Sequence, residues 1–198
     1  EKDKYIEVGA TTPLIKFEII IKKYYPDFNR ILKRYGSVQI RNVATLAGNI
    51  ATASPIGDSL PLLLSLDASI TIEGFNKKTV IPLKDFFIGY RKTRLKKGQF
   101  IRSIRIPILK KNIFKAYKIS KRIDDDISSV CASFNLIIVN KKIKNIKIAY
   151  GGMAATPKRA VYCEKMLLNS NFSEDIILKA QKSLEKDFQP IDDMRASK

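Results

Sequence analysis

The most constraining feature of the chain is a pair of long apolar runs, "SSVCASFNLIIVN" (128–140) and "IKNIKIAYGG" (143–152), with only Lys141 and Lys142 between them. Parallel neighbours need a crossover of about a dozen residues or more, so so short a connection forces an antiparallel pair. "FKAYKIS" (114–120) supplies a third strand and makes the unit a meander. Two helices follow. "ATPKRAVYCEKMLL" is expected to start with Thr156 as cap and Pro157 at its first position. "SEDIILKAQKSLEKDF" has Ser173 as cap, with Glu174 and Asp175 where the helix dipole favours acids.

Upstream the pattern changes. A short strand, Tyr5 to Val8, precedes Thr12 as a helix cap and Pro13 as first helical residue. Leu14, Phe17, Ile21 and Tyr24 recur at helical spacing, Pro26 interrupts, and "NRILKRYG" gives a second helix ended by Gly36. "DSLPLLLSLDA" (58–68) is a helix capped by Asp58 or Ser59. "SITIEGFNKKTVIPL" is a hairpin turning at 74–76, "KDFFIGYRKTRLKKGQ" a loop with a helical turn, and "FIRSIRIPI" a strand ended by Pro107. Composition shifts at "LKKN" (109–112), where a boundary is placed. The fold class is α+β in two parts, residues 1–108 and 112–198.

Composition narrows the function classes. The 198 residues, 45% of them hydrophobic, suffice for a real core. No apolar run reaches the roughly 18 residues of a membrane span, and nothing in the first residues given resembles a signal peptide. There is no His, and neither Cys131 nor Cys163 has a close cysteine neighbour, so no metal or iron–sulfur site is expected. Two buried, reduced thiols favour a cytoplasmic location. A net charge of +18 fits a nucleic-acid partner, but lysines run from Lys2 to Lys198 without gathering in one segment. No nucleic-acid partner is expected, although a basic nucleic-acid-binding module stays as an alternative. The chain begins "EKDKYIEVG" without Met and stops at "DDMRASK", so it is expected to be part of a longer one.

The stretch "IRNVATLAGNIATASPIGDSLP" (40–61) is the least lysine-rich part of this chain. Its small residues permit a close approach to the backbone, and Thr45, Asn49, Thr52 and Ser54 offer short polar groups. Two readings remain open: a loop that cradles phosphate, with Asp58 accepting from a ribose or amide, or a polar turn, a small-residue strand and a capped helix. "SKRIDDDIS" (120–128) is either a charged lip over a ligand or a solvated loop. In "FFIGYRKTRL" (86–95), aromatics beside cations can hold a flat anion or anchor a core. The glycine pair of "AYGGMAATPKRA" (149–160) is a tight turn first and a helix-terminus anion site second.

Taken in order, "QIRNVATLAGNIATASPIGDSLPLLLSLDA", "FFIGYRKT", "FKAYKISKRIDDDIS", "IAYGGMAATPKRA" and "PIDDMRAS" resemble the flavin domain of the xanthine dehydrogenase, or molybdenum hydroxylase, family. The closest resemblance is to the small iron–sulfur/flavin subunit of the bacterial enzyme. The resemblance implies the second lobe of a PCMH-type FAD-binding domain, followed by a C-terminal domain like that of the carbon monoxide dehydrogenase flavoprotein. It implies FAD as cofactor and NAD⁺ as co-substrate. It places the molybdenum cofactor and two [2Fe–2S] clusters elsewhere in a hetero-oligomer, on a molybdenum-binding large subunit and an iron–sulfur domain. Electrons from purine hydroxylation would pass through the clusters to FAD and on to NAD⁺. No catalytic side chain is expected in this chain. "SKRIDDDIS" and "GGMAATPKRA" favour the xanthine branch over a carbon monoxide or aldehyde dehydrogenase.

Carried over residue by residue, the resemblance assigns Thr45, Leu46, Ala47, Gly48 and Asn49 to the FAD phosphate loop and Asp58 to a polar FAD contact. It sets Tyr35 against the adenine, Ile101 as an apolar backbone contact, Lys118 as a lysine that reaches the cofactor, and Asp125 as a carboxylate near the flavin ring. Ala51, Ile56, Tyr90 and Arg122 would lie near the flavin or the NAD⁺. Two departures stand out. Ala47 occupies a position where the family has Gly, which would strain the backbone if the site needs φ > 0. An earlier glycine-rich loop of the family also lies outside these residues, so these 198 residues alone are expected to bind FAD weakly or not at all, and the intact subunit to bind it.

Overall fold

The computed structural model describes residues 4–198. A four-stranded antiparallel sheet in the order β1-β6-β2-β3 comprises β1 (Tyr5–Gly9), β2 (Ser69–Gly74), β3 (Lys77–Pro82) and β6 (Phe100–Pro107). Alternation decides which face of it is covered: Ile70, Ile72, Ile104 and Ile106 are buried and belong to the core. Five short helices gather with this sheet: α1 (Leu14–Tyr24), α2 (Pro26–Lys33), α3 (Val38–Val43), α4 (Leu46–Thr52) and α5 (Ser59–Ser65).

A second antiparallel sheet, in the order β10-β9-β8-β7, contains the expected meander: β7 (Ile113–Ile119), β8 (Val130–Val139) and β9 (Lys142–Gly151), with β10 (Lys158–Arg159) at its edge. Asn140 and Lys141 make the tight turn, both at positive φ. One face of this sheet joins the first core through Ala116, Cys131 and Ala149. The other packs under α6 (Val161–Leu167) and α7 (Glu174–Asp187), around Ile143, Ile148, Cys163 and Phe188.

The helix α5 lies against β8, β9 and β10 of the second sheet, with α2 and α4 on its other sides. Its sequence, SLPLLLS, is apolar all round, and every residue of it is buried. A helix without a polar face must be covered on every side. Its C-terminal end is tied to β8: Asn135 Nδ2 donates to the Ser65 carbonyl at 2.9 Å, and the Ser65 and Ser133 hydroxyls lie 2.6 Å apart. A second joint is Tyr25, whose hydroxyl donates to Pro107 O at 2.7 Å and accepts from Leu109 N at 3.1 Å. Burial pushes its phenol pKa upward.

Several local expectations differ from the structure. Pro13, not Thr12, is the N-cap of α1; it sits in extended backbone as a bridge partner of Thr45. The buried face of α1 is Leu14, Phe17 and Ile21, while Tyr24 stays partly exposed and Tyr25 takes the core position. Pro26 opens α2 instead of only interrupting. Residues 46–52 are a helix, not a strand. The loop at 84–99 contains a 3-10 turn (Leu83–Asp85) and a small hairpin, β4 (Phe87–Gly89) with β5 (Lys92–Thr93). Thr156 and Pro157 start no helix. Lys158 and Arg159 instead extend the sheet opposite Tyr150 and Ala149, and α6 begins at Val161. Ser173 is the N-cap of α7 but makes no side-chain capping bond.

The glycine pair ends β9 against the small-residue stretch, not at a helix terminus. Gly152 N donates to Pro55 O at 2.8 Å, and Gly152 has φ +89, a conformation other residues rarely adopt. A Cβ there would also run into the carbonyl oxygen of Ser129. Gly152→Ala is therefore expected to destabilise the fold by about 3 kcal/mol or more. Urea unfolding of both proteins checks this; a midpoint unchanged from wild type would contradict it.

Candidate functional site

The end of α2, the helices α3 and α4, the start of α5, the tip of the β4–β5 hairpin and the loop 120–127 together enclose a cavity of about 720 Å³. Each wall has a local cause. Gly36, at φ +56, turns the chain after α2, and Ser37 caps α3 by accepting from Ile40 N at 3.3 Å. Arg41 of α3 lies buried against Glu18 of α1, Nε to Oε1 2.7 Å, and donates to Gly36 O at 2.6 Å, which fixes both the turn and the helix. Thr45 caps α4, its hydroxyl accepting from Gly48 N at 3.0 Å. Leu46, Ile50 and Ala53 recur at i, i+4 and i+7 and are fully buried, which seats α4 on the core. Its opposite side, with Gly48, Asn49 and Thr52, faces the cavity.

Asn49 links the walls. Its Nδ2 donates to the Tyr35 hydroxyl at 3.1 Å, and its Oδ1 accepts from Ser59 Oγ at 2.5 Å. Burial, and then the charge of Asp58, push the Tyr35 phenol pKa above its ordinary range, against the Asn49 hydrogen bond. Asp58 occupies the N-cap position of α5 but makes no capping bond. Its carboxylate instead accepts from Lys118 Nζ at 2.6 Å and from the Ser128 hydroxyl. Magnitudes explain the choice. A cap contributes about 1 kcal/mol. A lysine whose side chain is 1% exposed, left without a counter-charge, would cost several kcal/mol.

The loop 120–127 is the outer lip. Asp125 adopts φ +49, and Asp126 accepts from Arg122 N at 2.8 Å and Ile127 N at 2.9 Å. The first of these bonds holds the Asp126 carboxyl below its usual range. Arg91, at φ +51 on the β4–β5 tip, brings a cation to the cavity.

Of the residues singled out in the sequence, Tyr35, Thr45, Gly48, Asn49, Ile56, Asp58, Lys118 and Asp125 line this cavity. The others do not. Leu46 and Ala47 are buried beneath α4, Ala51 is exposed on it, and Ile101 lies in the first sheet opposite Ile72. Tyr90 is exposed beside Arg91, and Arg122 bonds its own loop through Asp125 O. Ala47 sits inside a helix and not in the left-handed region, so the alanine carries no backbone strain. Thr52 and Ser54, read from the sequence as short polar groups of a phosphate-cradling loop, also line it, as do Arg91 of the aromatic-and-cation segment and Asp126 and Ile127 of the charged segment; Gly36, Ser37, Ile40, Ala44 and Gly57 complete the walls without having been singled out. For Thr52 the helical spacing of Leu46, Ile50 and Ala53 also fixes what α4 turns outward. The sequence marks Arg91 only as a cation beside aromatics; its place on the wall depends on the turn between β4 and β5.

Among the described residues, no three His, Cys, Asp or Glu side chains are grouped as a metal site, and no helix is long and apolar enough to cross a membrane. Both cysteines are free and buried; burial raises Cys131 well above its ordinary pKa and Cys163 to about 11.

Residues 1–109 match the family described as the FAD binding domain in molybdopterin dehydrogenase, and residues 115–198 match the CO dehydrogenase flavoprotein C-terminal domain. The chain belongs to this FAD-binding family. A xanthine dehydrogenase of Emericella nidulans is 34% identical over 94% of the chain, and a nicotinate hydroxylase of the same organism is 40% identical over 75%. The chain spans 15% and 12% of those proteins' lengths. The carbon monoxide dehydrogenase structure from Hydrogenophaga pseudoflava superposes with a TM-score of 0.92 at 23% identity, covering 98% of this chain and 68% of that one. That likeness establishes the α+β fold of this FAD-binding domain and its C-terminal neighbour.

The buried Asp58–Lys118 pair generates a test. Lys118→Met leaves a buried carboxylate without its cation and is expected to cost about 3–5 kcal/mol. Lys179→Met, which breaks an exposed pair with Asp175, is expected to cost less than about 1 kcal/mol. Chemical denaturation of both variants measures the contrast; equal losses would remove the special status of the buried pair.

Proposed function

We propose that this chain forms the FAD-holding part of a xanthine dehydrogenase-type molybdenum hydroxylase, an NAD-dependent oxidoreductase of the cytoplasm. The observation that carries the reading is convergence. Tyr35, Thr45 to Asn49, Asp58, Lys118 and Asp125 lie far apart in sequence, yet most of them wall one cavity of about 720 Å³, a volume suited to a nucleotide cofactor. The walls fit such a group. At Gly48 a Cβ would sit 3.2 Å from the capping hydroxyl of Thr45, so glycine keeps the first turn of α4 open to close approach. In the first turn of α4, Gly48 N is taken by the Thr45 hydroxyl, and the N–H of Ala47 precedes any intrahelical acceptor.

When bound, FAD would supply the redox chemistry, taking electrons that leave a purine at molybdenum and pass through iron–sulfur clusters, and delivering hydride to NAD⁺. The residues of this chain bind and orient. The first turn of α4 meets phosphate oxygens, and Asn49 and Tyr35 hold the wall on the adenosine side. Asp58 and Lys118 neutralise each other in the floor and set the positions of α5 and β7 relative to the cavity. Ile56 and Ile127 give the mouth apolar surface that limits water. Ala51, Tyr90 and Arg122 stand outside the walls and serve the reading only as neighbours of the mouth. The molybdenum-binding subunit and the iron–sulfur domain are the implied partners, and the change of composition at 109–112 marks the division between the two parts of the chain. The xanthine dehydrogenase relative favours purine over carbon monoxide as the substrate of the whole enzyme.

Flavin-fluorescence titration of the intact protein tests the cofactor. FAD is expected to bind, and Gly48→Val to weaken binding on the order of tenfold or more, about 1.4 kcal/mol. Ala47→Gly is expected to leave affinity within about threefold while costing about 0.5–1 kcal/mol of stability from the helix. Absence of FAD binding, or an undiminished affinity in Gly48→Val, would overturn the assignment. Assay of the assembled complex with hypoxanthine, xanthine, an aldehyde and carbon monoxide, each with NAD⁺, decides the substrate.

A further inference from the structure

We propose that Arg34 is a positioning residue that holds the lip 120–127 over the cavity, acting through the loop's backbone and not by touching the ligand. The part of the proposal that concerns flavin rests on the FAD reading above; the part that concerns the loop does not. Arg34 is the C-cap residue of α2 and directly precedes Tyr35 on the cavity wall. Its guanidinium turns to the lip. Nη1 donates to Lys118 O at 3.0 Å, Nη2 to Ser120 Oγ at 3.1 Å, and Nε to Ile123 O at 2.7 Å. In return, Lys118 Nζ donates to Arg34 O at 3.1 Å.

These bonds do not end at the loop's root. The Ser120 hydroxyl donates to Arg122 O at 2.6 Å, and Arg122 N donates to Asp126 Oδ2 at 2.8 Å. The guanidinium is thus the first link of a chain of hydrogen bonds that ends at Asp126, on the cavity wall. Its three acceptors are neutral oxygens spread from the end of β7 into the loop, two backbone carbonyls and the Ser120 hydroxyl, so what Arg34 recognises is the path of the chain there. A planar fork of fixed donors suits that task; an ammonium on a flexible stem can meet one or two of these oxygens but not all three together. The sequence of the lip does not otherwise favour a fixed form. It is charged and exposed, and Asp125 is held at positive φ.

The test uses the intact protein with and without added FAD, comparing wild type, Arg34→Ala and Arg34→Lys. Trypsin cuts after lysine and arginine, and Lys121 and Arg122 lie within the lip. Nicking there is expected to rise on the order of tenfold or more in Arg34→Ala, because three hydrogen bonds from a charged donor are lost. Arg34→Lys should lie between Arg34→Ala and wild type, although it keeps the charge. Iodide should quench the bound flavin more strongly in both variants, while the thermal midpoint moves by only a few degrees. Unchanged nicking in either folded variant overturns the proposal, as does full rescue by lysine. If Arg34→Ala does not fold, Arg34→Lys decides. Cleavage spread along the chain in proportion to a lowered midpoint would show a general structural role and would equally overturn it. If wild type binds no FAD, the quenching arm falls with the functional reading, and the nicking arm still tests the clamp.

Discussion

The burial of α5 on all sides is the constraint on which the rest of the structure depends. A short segment of this composition has no face it can show to water, and one sheet cannot cover a cylinder. The second sheet therefore closes on it from one side, through β8, β9 and β10, and α2, α4 and the 3-10 turn at Leu83–Asp85 close on it from the others. The polar ends of the helix then become the problem, because buried backbone groups need partners. The second sheet supplies them at the C-terminus through Ser133 and Asn135, and it also takes the carboxylate at the N-terminus through Lys118. The helix belongs by sequence to the first part of the chain and by hydrogen bonding to the second.

The site follows from that arrangement. Because Asp58 is drawn toward Lys118, the start of α5 is tied to the end of β7, and the loop that follows β7 is carried across the mouth of the cavity. Most of the polar groups in the walls are already partnered: Asn49 with Tyr35 and Ser59, Thr45 with Gly48, Asp58 with Lys118 and Ser128. Such walls are rigid before any ligand arrives, and affinity is then not spent on ordering them. What they leave toward the cavity are the carboxylates and arginine of the rim.

Much of the fold was legible in the sequence because apolar runs bounded by turn residues can form little else. The meander of β7 to β9, the hairpin of β2 and β3, and the helices α5 and α7 fell where periodicity placed them. Local capping rules failed where a tertiary partner offered more. Thr156 and Pro157 are a plausible helix start, but the edge of β9 had unpaired backbone groups, and Lys158 and Arg159 paired with them. The helix α4 was hidden by its small residues, although Leu46, Ile50 and Ala53 carried its period. Of the residues named by family resemblance, Tyr35, Thr45, Gly48, Asn49, Ile56, Asp58, Lys118 and Asp125 came together, while Leu46, Ala47 and Ala51 of α4 did not. Wall residues in the lip and the β4–β5 tip depended on turns at positive φ that no pattern announces. Arg34 had no signal at all, since its partners, two backbone oxygens and the Ser120 hydroxyl, lie more than 80 positions away.

The shared helix also bears on how such a chain can change over evolutionary time. The two family descriptions divide it between residues 109 and 115, at a connection that looks easy to cut and rejoin. Yet the seam of physical contact runs along α5, some fifty positions earlier, where Ser65 meets Ser133 and Asp58 meets Lys118. A half taken from a relative would bring a foreign partner to both ends of that helix. The two halves are thus bound to diverge together, each serving as the other's selective environment.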